Sequence, residues 1–174
     1  MNKRLTIIVS LICAGLLLSF GGYILYKEIE LNKLSPDTVI YEDINLFPGS
    51  YEVYVINSKE ITYYNFSEYW YHNKYDFFEY PLPPENQYYT KVYPIDADQW
   101  EYIVNNLNKQ KYNRIRKDLS VNGIMDGGYS YIKVISGEKS YLFGGYCPED
   151  GYLISFIRFK KIQSAIKEVI DEAH

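Results

Sequence analysis

Apolar positions along this chain follow three patterns: an unbroken run near the start, alternation in the middle, and helical stripes at two later places. The unbroken run, Leu5–Tyr26, is 22 residues long, carries no charge and follows Lys3 and Arg4. As a helix rising about 1.5 Å per residue it spans about 33 Å, enough to cross a hydrocarbon core roughly 30 Å thick. Alternation of Val and Tyr with other residues over Tyr51–Ile56 predicts a strand. Asn57-Ser58-Lys59-Glu60 predicts a turn, and Ile61–Phe66 the returning strand of a hairpin. Tyr88–Tyr93 predicts a further strand closed by Pro94. A second hairpin is expected from Tyr129–Ile135, the turn Ser136-Gly137-Glu138-Lys139, and Ser140–Tyr146.

Helical spacing occurs twice. Trp100, Ile103, Val104 and Leu107 fall at i, i+3, i+4 and i+7 behind Asp96-Ala97-Asp98, and Lys109 and Lys111 lie near the far end. Aspartates at the start and lysines at the end both suit the helix dipole. Phe159, Ile162, Ile166, Val169 and Ile170 form the second stripe. Leu153–Ile157 is apolar throughout and fits either a strand or a helix start by periodicity alone. Tyr80-Pro81-Leu82-Pro83-Pro84 excludes both a helix and a central strand, so Ser67–Asn86 is expected to be a long extended loop.

The element order is therefore hairpin, loop, strand, helix, hairpin, helix. The fold class this predicts is α+β: an N-terminal transmembrane helix, then a small antiparallel sheet of two hairpins plus one strand, with two helices on one face. The other sheet face is expected to be free and rich in tyrosine. Residues 1–26 form the anchor, 27–37 a polar stalk and 38–174 a single domain long enough for its own core.

The N-terminal segment admits two other readings. Ser19-Phe20-Gly21 offers a signal-peptidase site after a shorter apolar run, and Cys13 is a lipidation candidate. Apolar character resumes at Tyr23–Tyr26 beyond the first cut, and Ile12 is too large for the residue before a lipidated cysteine. A retained single-pass anchor is the reading that fits both facts. A short N-terminal tail ahead of a long apolar run favours a C-terminal domain outside the cytoplasm, although Lys27 and Lys33 leave only a slight positive-inside bias.

Charge and composition narrow the chemistry. A net charge of −4 argues against nucleic acid as a partner. Cys13 and Cys147 are the two cysteines, and with Cys13 in the apolar run no disulfide braces the domain. His72 and His174 are too few and too far apart for zinc spacing, and no loop has EF-hand spacing, so no metal or cofactor is expected.

Gly137-Glu138-Lys139-Ser140 lacks the first glycine of a phosphate-binding loop and sits in a hairpin turn. Cys147 stands among glycines and acids without a neighbouring histidine, which suits a small buried residue better than a nucleophile. Asp126-Gly127-Gly128 has turn chemistry, yet its glycines would let a ligand approach the backbone. An enzyme or ligand-binding domain built on Cys147 or on that loop is the alternative function class. A membrane-bound immunity or inhibitor protein is a further one.

Two surface features point instead to binding. Tyr63–Tyr80 holds ten aromatics in eighteen residues, too many for one small core. Tyr69, Trp70, Tyr71, Phe77 and Phe78 are its candidate contact residues, because rigid aromatic side chains dominate interfaces. The plain structural reading is a loop packed on the sheet with its hydroxyls at the surface. Lys109, Lys111, Arg114, Arg116 and Lys117 form a basic run free of acids, either a solvated helix end or a contact for anionic groups. The function expected from the sequence is a membrane-anchored, non-catalytic extracytoplasmic module that contacts another envelope protein.

Overall fold

The computed structural model describes residues 35–45, 50–66, 88–121, 127–151 and 153–174. Among these residues six strands and two α-helices follow one another as β1 (Thr38–Asn45), β2 (Ser50–Ile56), β3 (Glu60–Phe66), β4 (Tyr88–Pro94), α1 (Ala97–Lys109), β5 (Gly128–Ser136), β6 (Lys139–Tyr146) and α2 (Ile154–Ala173). The strands form one antiparallel sheet in the order β4-β3-β2-β1-β5-β6. The domain is α+β. Among the described residues no helix is long and apolar enough to cross a membrane, and the run Leu5–Tyr26 lies outside them.

The hairpins, the lone strand and both helices stand where the alternation and the stripes put them. The sequence reading lacks β1. This strand holds the centre of the sheet, pairing with β2 on one side and β5 on the other, and so joins the two hairpins. Its first residues, Val39, Ile40 and Tyr41, are all buried, because both faces of β1 are covered. A strand covered on both faces loses the alternation that marks a half-exposed one. Asp37, placed in the stalk by its polarity, donates its backbone N–H to the Ile135 carbonyl at 2.8 Å, one residue ahead of β1.

Register divides the sheet into two faces. Val39 and Tyr41 of β1, Ile56 of β2, Ile61 of β3, Ile132 and Val134 of β5 and Phe143 of β6 share one face. They form a single buried cluster with Ile103 and Leu107 of α1 and Phe159, Ile162 and Ile166 of α2. Both helices thus cover the same face. The opposite face is not free. Ile40, Ile44, Tyr51, Val53 and Phe66 are buried there as a second cluster, with Tyr64, Tyr88 and Tyr129 packed against it. Tyrosine-rich ring contacts run along both faces: Tyr54 with Tyr63 and Tyr51 with Phe66 at centroid distances of 5.0 Å, and Tyr129 with Tyr146 at 5.1 Å.

Local chemistry fixes the helix starts. Asp96 Oδ1 accepts the Gln99 backbone N–H at 2.8 Å, and Gln99 Oε1 accepts the Asp96 N–H at 3.1 Å, a reciprocal cap on α1. Asp96→Ala is expected to lower stability by about 1 kcal/mol, read as a lower urea midpoint with unchanged slope. Leu153–Ile157 resolves as a helix start, with Leu153 extended just ahead of α2.

The two sheet edges are finished differently. Along β6, Leu119 N–H donates to the Gly144 carbonyl at 2.8 Å and Val121 N–H to the Tyr146 carbonyl at 2.9 Å, so residues 119–121 lie against that strand. A side chain on Gly145 would collide with Ser120 of this segment. On β4, Lys91 and the terminal Pro94 discourage another strand from adding.

Candidate functional site

The inner sheet face carries a polar network that sequence inspection does not reveal. Asp43 and Glu52 are directly opposite each other on β1 and β2. Asp43 accepts from Tyr41 Oη at 3.0 Å and from Ser130 Oγ at 3.1 Å, and Lys167 Nζ lies 3.1 Å from its Oδ2. Gln163 Nε2 of α2 donates to Tyr41 Oη at 3.1 Å and approaches Ser130 Oγ at 3.4 Å. Glu52 accepts from Tyr54 Oη at 3.0 Å and Tyr63 Oη at 3.1 Å, while Asn65 Nδ2 donates to Tyr63 at 2.8 Å. His174, after the end of α2, stacks on Tyr93 at 4.3 Å and 21°.

Electrostatics bind this network to its protons. Burial, then the Asp43 charge, pushes the Tyr41 hydroxyl far above the ordinary tyrosine range. Burial and Glu52 do the same to Tyr54. Burial also raises Tyr63, against a lowering hydrogen bond from Asn65. These tyrosines therefore act as neutral donors to carboxylates. Each carboxylate oxygen of the pair already has a hydroxyl partner, and Gln163 and Lys167 tie α2 to the Tyr41–Asp43 half of the network.

The two weak catalytic candidates converge. Gly127 N–H donates to Tyr146 Oη at 3.0 Å, and the Gly128 carbonyl accepts the Cys147 N–H at 2.8 Å. A side chain on Gly127 would run into the Cys147 sulfur. Gly127 makes room for a buried thiol, 2% exposed, inside the protein, and Gly128 lies against the Ile44 carbonyl of β1. Asp126 lies outside the described residues, as do Tyr69, Trp70, Tyr71, Phe77 and Phe78. Among the described residues, no group of three His, Cys, Asp or Glu side chains could hold a metal ion.

The basic run gains company from a distant segment. Lys109 ends α1, Lys111 follows in a left-handed conformation, Arg114 closes a short 3-10 turn, and Arg116 and Lys117 lie exposed beyond it. A groove of about 310 Å³ between α1 and α2 is lined by Lys109, Lys160 and Lys161, with Asn106, Gln110 and Ser164 as polar neighbours. Among the described residues no carboxylate lines it. The other end of the same seam is acidic, with Asp98, Glu168 and Glu172 around a smaller hollow. Tyr102 lies between the two and donates to Glu168 Oε2 at 2.6 Å, which raises its own hydroxyl. Lys160-Lys161 was legible in the sequence as a basic pair, but nothing there tied it to Lys109.

No protein-family model matches this chain, and no curated protein is similar enough to count as a relative.

Proposed function

We propose that this protein is a single-pass, membrane-anchored module whose α+β domain stands outside the cytoplasm and works by contact with another envelope component, without catalysis. The observation that supports this is where the chemistry sits. The carboxylates of Asp43 and Glu52 are already engaged by tyrosine and serine hydroxyls, while apolar and cationic side chains collect at one end of the helical layer's outer surface. The uncharged run Leu5–Tyr26 supplies the tether. Tyr69, Trp70, Tyr71, Phe77 and Phe78 supply the protein-contact residues of this reading.

Sidedness tests it. Ser58 is exposed in the tight turn between β2 and β3, where a cysteine costs little. With Ser58→Cys in a Cys13→Ala, Cys147→Ala background, a membrane-impermeant maleimide is expected to label intact cells as fully as lysed ones. Labelling confined to lysed cells places the domain in the cytoplasm and ends this reading.

A further inference from the structure

The start of α2 is unusual for a packed helix: its N-cap is Leu153, with no side-chain cap. Leu153, Ile154 and Ile157 are 62%, 66% and 44% exposed, whereas Ser155, Phe156 and Phe159 between and after them face the core. Single exposed aliphatics are ordinary, whereas these three stand together at one helix start. The chain continues at once into Arg158, Lys160 and Lys161. Lys160 and Lys161 then meet Lys109 across the groove between the helices. Among the described residues no carboxylate pairs with Lys109, Lys160 or Lys161. In a chain of net charge −4, this end of the helical layer is a local reversal of sign.

Aliphatic side chains at a helix start, bordered by flexible lysines and arginine, are the composition of a surface that lies in a lipid interface. The apolar side chains enter the boundary between headgroups and acyl chains, and the cations meet lipid phosphates. Among the described residues the exposed tip itself is aliphatic, without the aromatic anchors common at protein interfaces, while Tyr102, Asn106, Gln110 and Ser164 lie in the groove beside the lysines. Eleven residues, 27–37, separate the apolar run from β1, at most about 40 Å of extended chain. A tether of that length converts a weak surface contact into an intramolecular one.

We infer that the Leu153/Ile154/Ile157 tip of α2, with Lys109, Lys160 and Lys161 beside it, docks onto a bilayer containing anionic phospholipid. The proximity part of this inference rests on the anchor proposed above. The chemistry of the patch does not.

The test uses the full chain in vesicles, with Ile157→Cys carrying a bimane fluorophore in the Cys13→Ala, Cys147→Ala background. Acyl-chain-brominated lipid is the quencher. In vesicles containing phosphatidylglycerol, quenching is expected to be several-fold stronger than in pure phosphatidylcholine, and to fall at high salt or with Lys160→Glu and Lys161→Glu together. The same probe at Ser58→Cys reports no quenching. Equal quenching in both lipids, or a blue-shifted probe that brominated lipid does not quench, overturns the inference. The second result would mean that protein, from this chain or a second copy, covers the patch. Alkaline carbonate extraction separates the two claims. If carbonate strips the chain from the vesicles, the anchor reading falls, and charge-dependent quenching by added vesicles still decides the docking surface.

Discussion

Phe159→Ala is expected to cost about 3–5 kcal/mol of folding stability. Phe159 is fully buried, and its ring meets Phe143 of β6 edge-to-face at 6.3 Å and 89°. It joins α2 to the β5–β6 half of the sheet within the main cluster. Alanine would remove the apolar surface and leave a cavity that fixed neighbours cannot fill. A domain of this size has a net stability of about 5–15 kcal/mol, so the loss takes a large share of the whole. Ile157→Ala, on the same helix but exposed, is expected to change stability by about 0.5 kcal/mol or less. Urea unfolding of both variants, followed by circular dichroism, measures the contrast. A Phe159→Ala loss as small as that of Ile157→Ala would mean that α2 is not held as described.

Alkaline pH is expected to unfold the domain cooperatively. The chain has 21 tyrosines. Among the described residues, buried Tyr41, Tyr54 and Tyr112 resist ionisation. Tyr41 and Tyr54 do so strongly, chiefly through burial and then through Asp43 and Glu52 respectively. Tyr112, buried against Tyr141 with rings 5.3 Å apart, is pushed up to about 12. Below the ordinary tyrosine value of 10.0 the folded and unfolded chains both keep these protons, and the full stability is present. As pH rises past it, the unfolded chain releases them while the folded chain holds them. Stability then falls by about 1.4 kcal/mol per pH unit for each such group. Tyrosinate absorbance is expected to rise first for the exposed rings, then in a second, steep step that coincides with loss of circular dichroism. A single broad titration with the fold intact would show that Tyr41 and Tyr54 are not locked to their carboxylates.

What the sequence displayed was local. Alternation in Tyr51–Ile56 and Ile61–Phe66 marks a hairpin because those strands pair with their nearest neighbours in the chain. The Asp96 cap and the stripe through Ile103 and Leu107 mark α1 because capping and amphipathicity are both read within one or two turns. β1 escaped because its residues are buried on both sides, so periodicity does not announce it; the signal that could have found it is Pro48-Gly49, a turn dipeptide between its end and β2. The polar network escaped for another reason. Tyr41, Asp43, Glu52, Ser130 and Gln163 come from four elements, and only their pairing across the sheet brings them together. The Gly127-Gly128 pair shows the limit of turn chemistry as a signal, since the space at Gly127 is filled by Cys147 and that at Gly128 by the Ile44 carbonyl.

The central place of β1 also sets an order of events in folding. Thr38–Asn45 pairs with Gly128–Ser136, partners lying about ninety positions apart in the chain. A nascent chain can close β1, β2 and β3 by short connections as they emerge, and add β4 after the longer segment 67–87. It then carries β1 with one side open until β5 has been made. Contacts of such sequence separation raise the contact order and slow folding, because the long loop must be ordered before the pairing rewards it. During that interval the Val39-Ile40-Tyr41 segment, buried on both faces in the finished domain, presents an unpaired apolar edge. The strand that unites the finished sheet is therefore the one that most needs shielding while the sheet is half built.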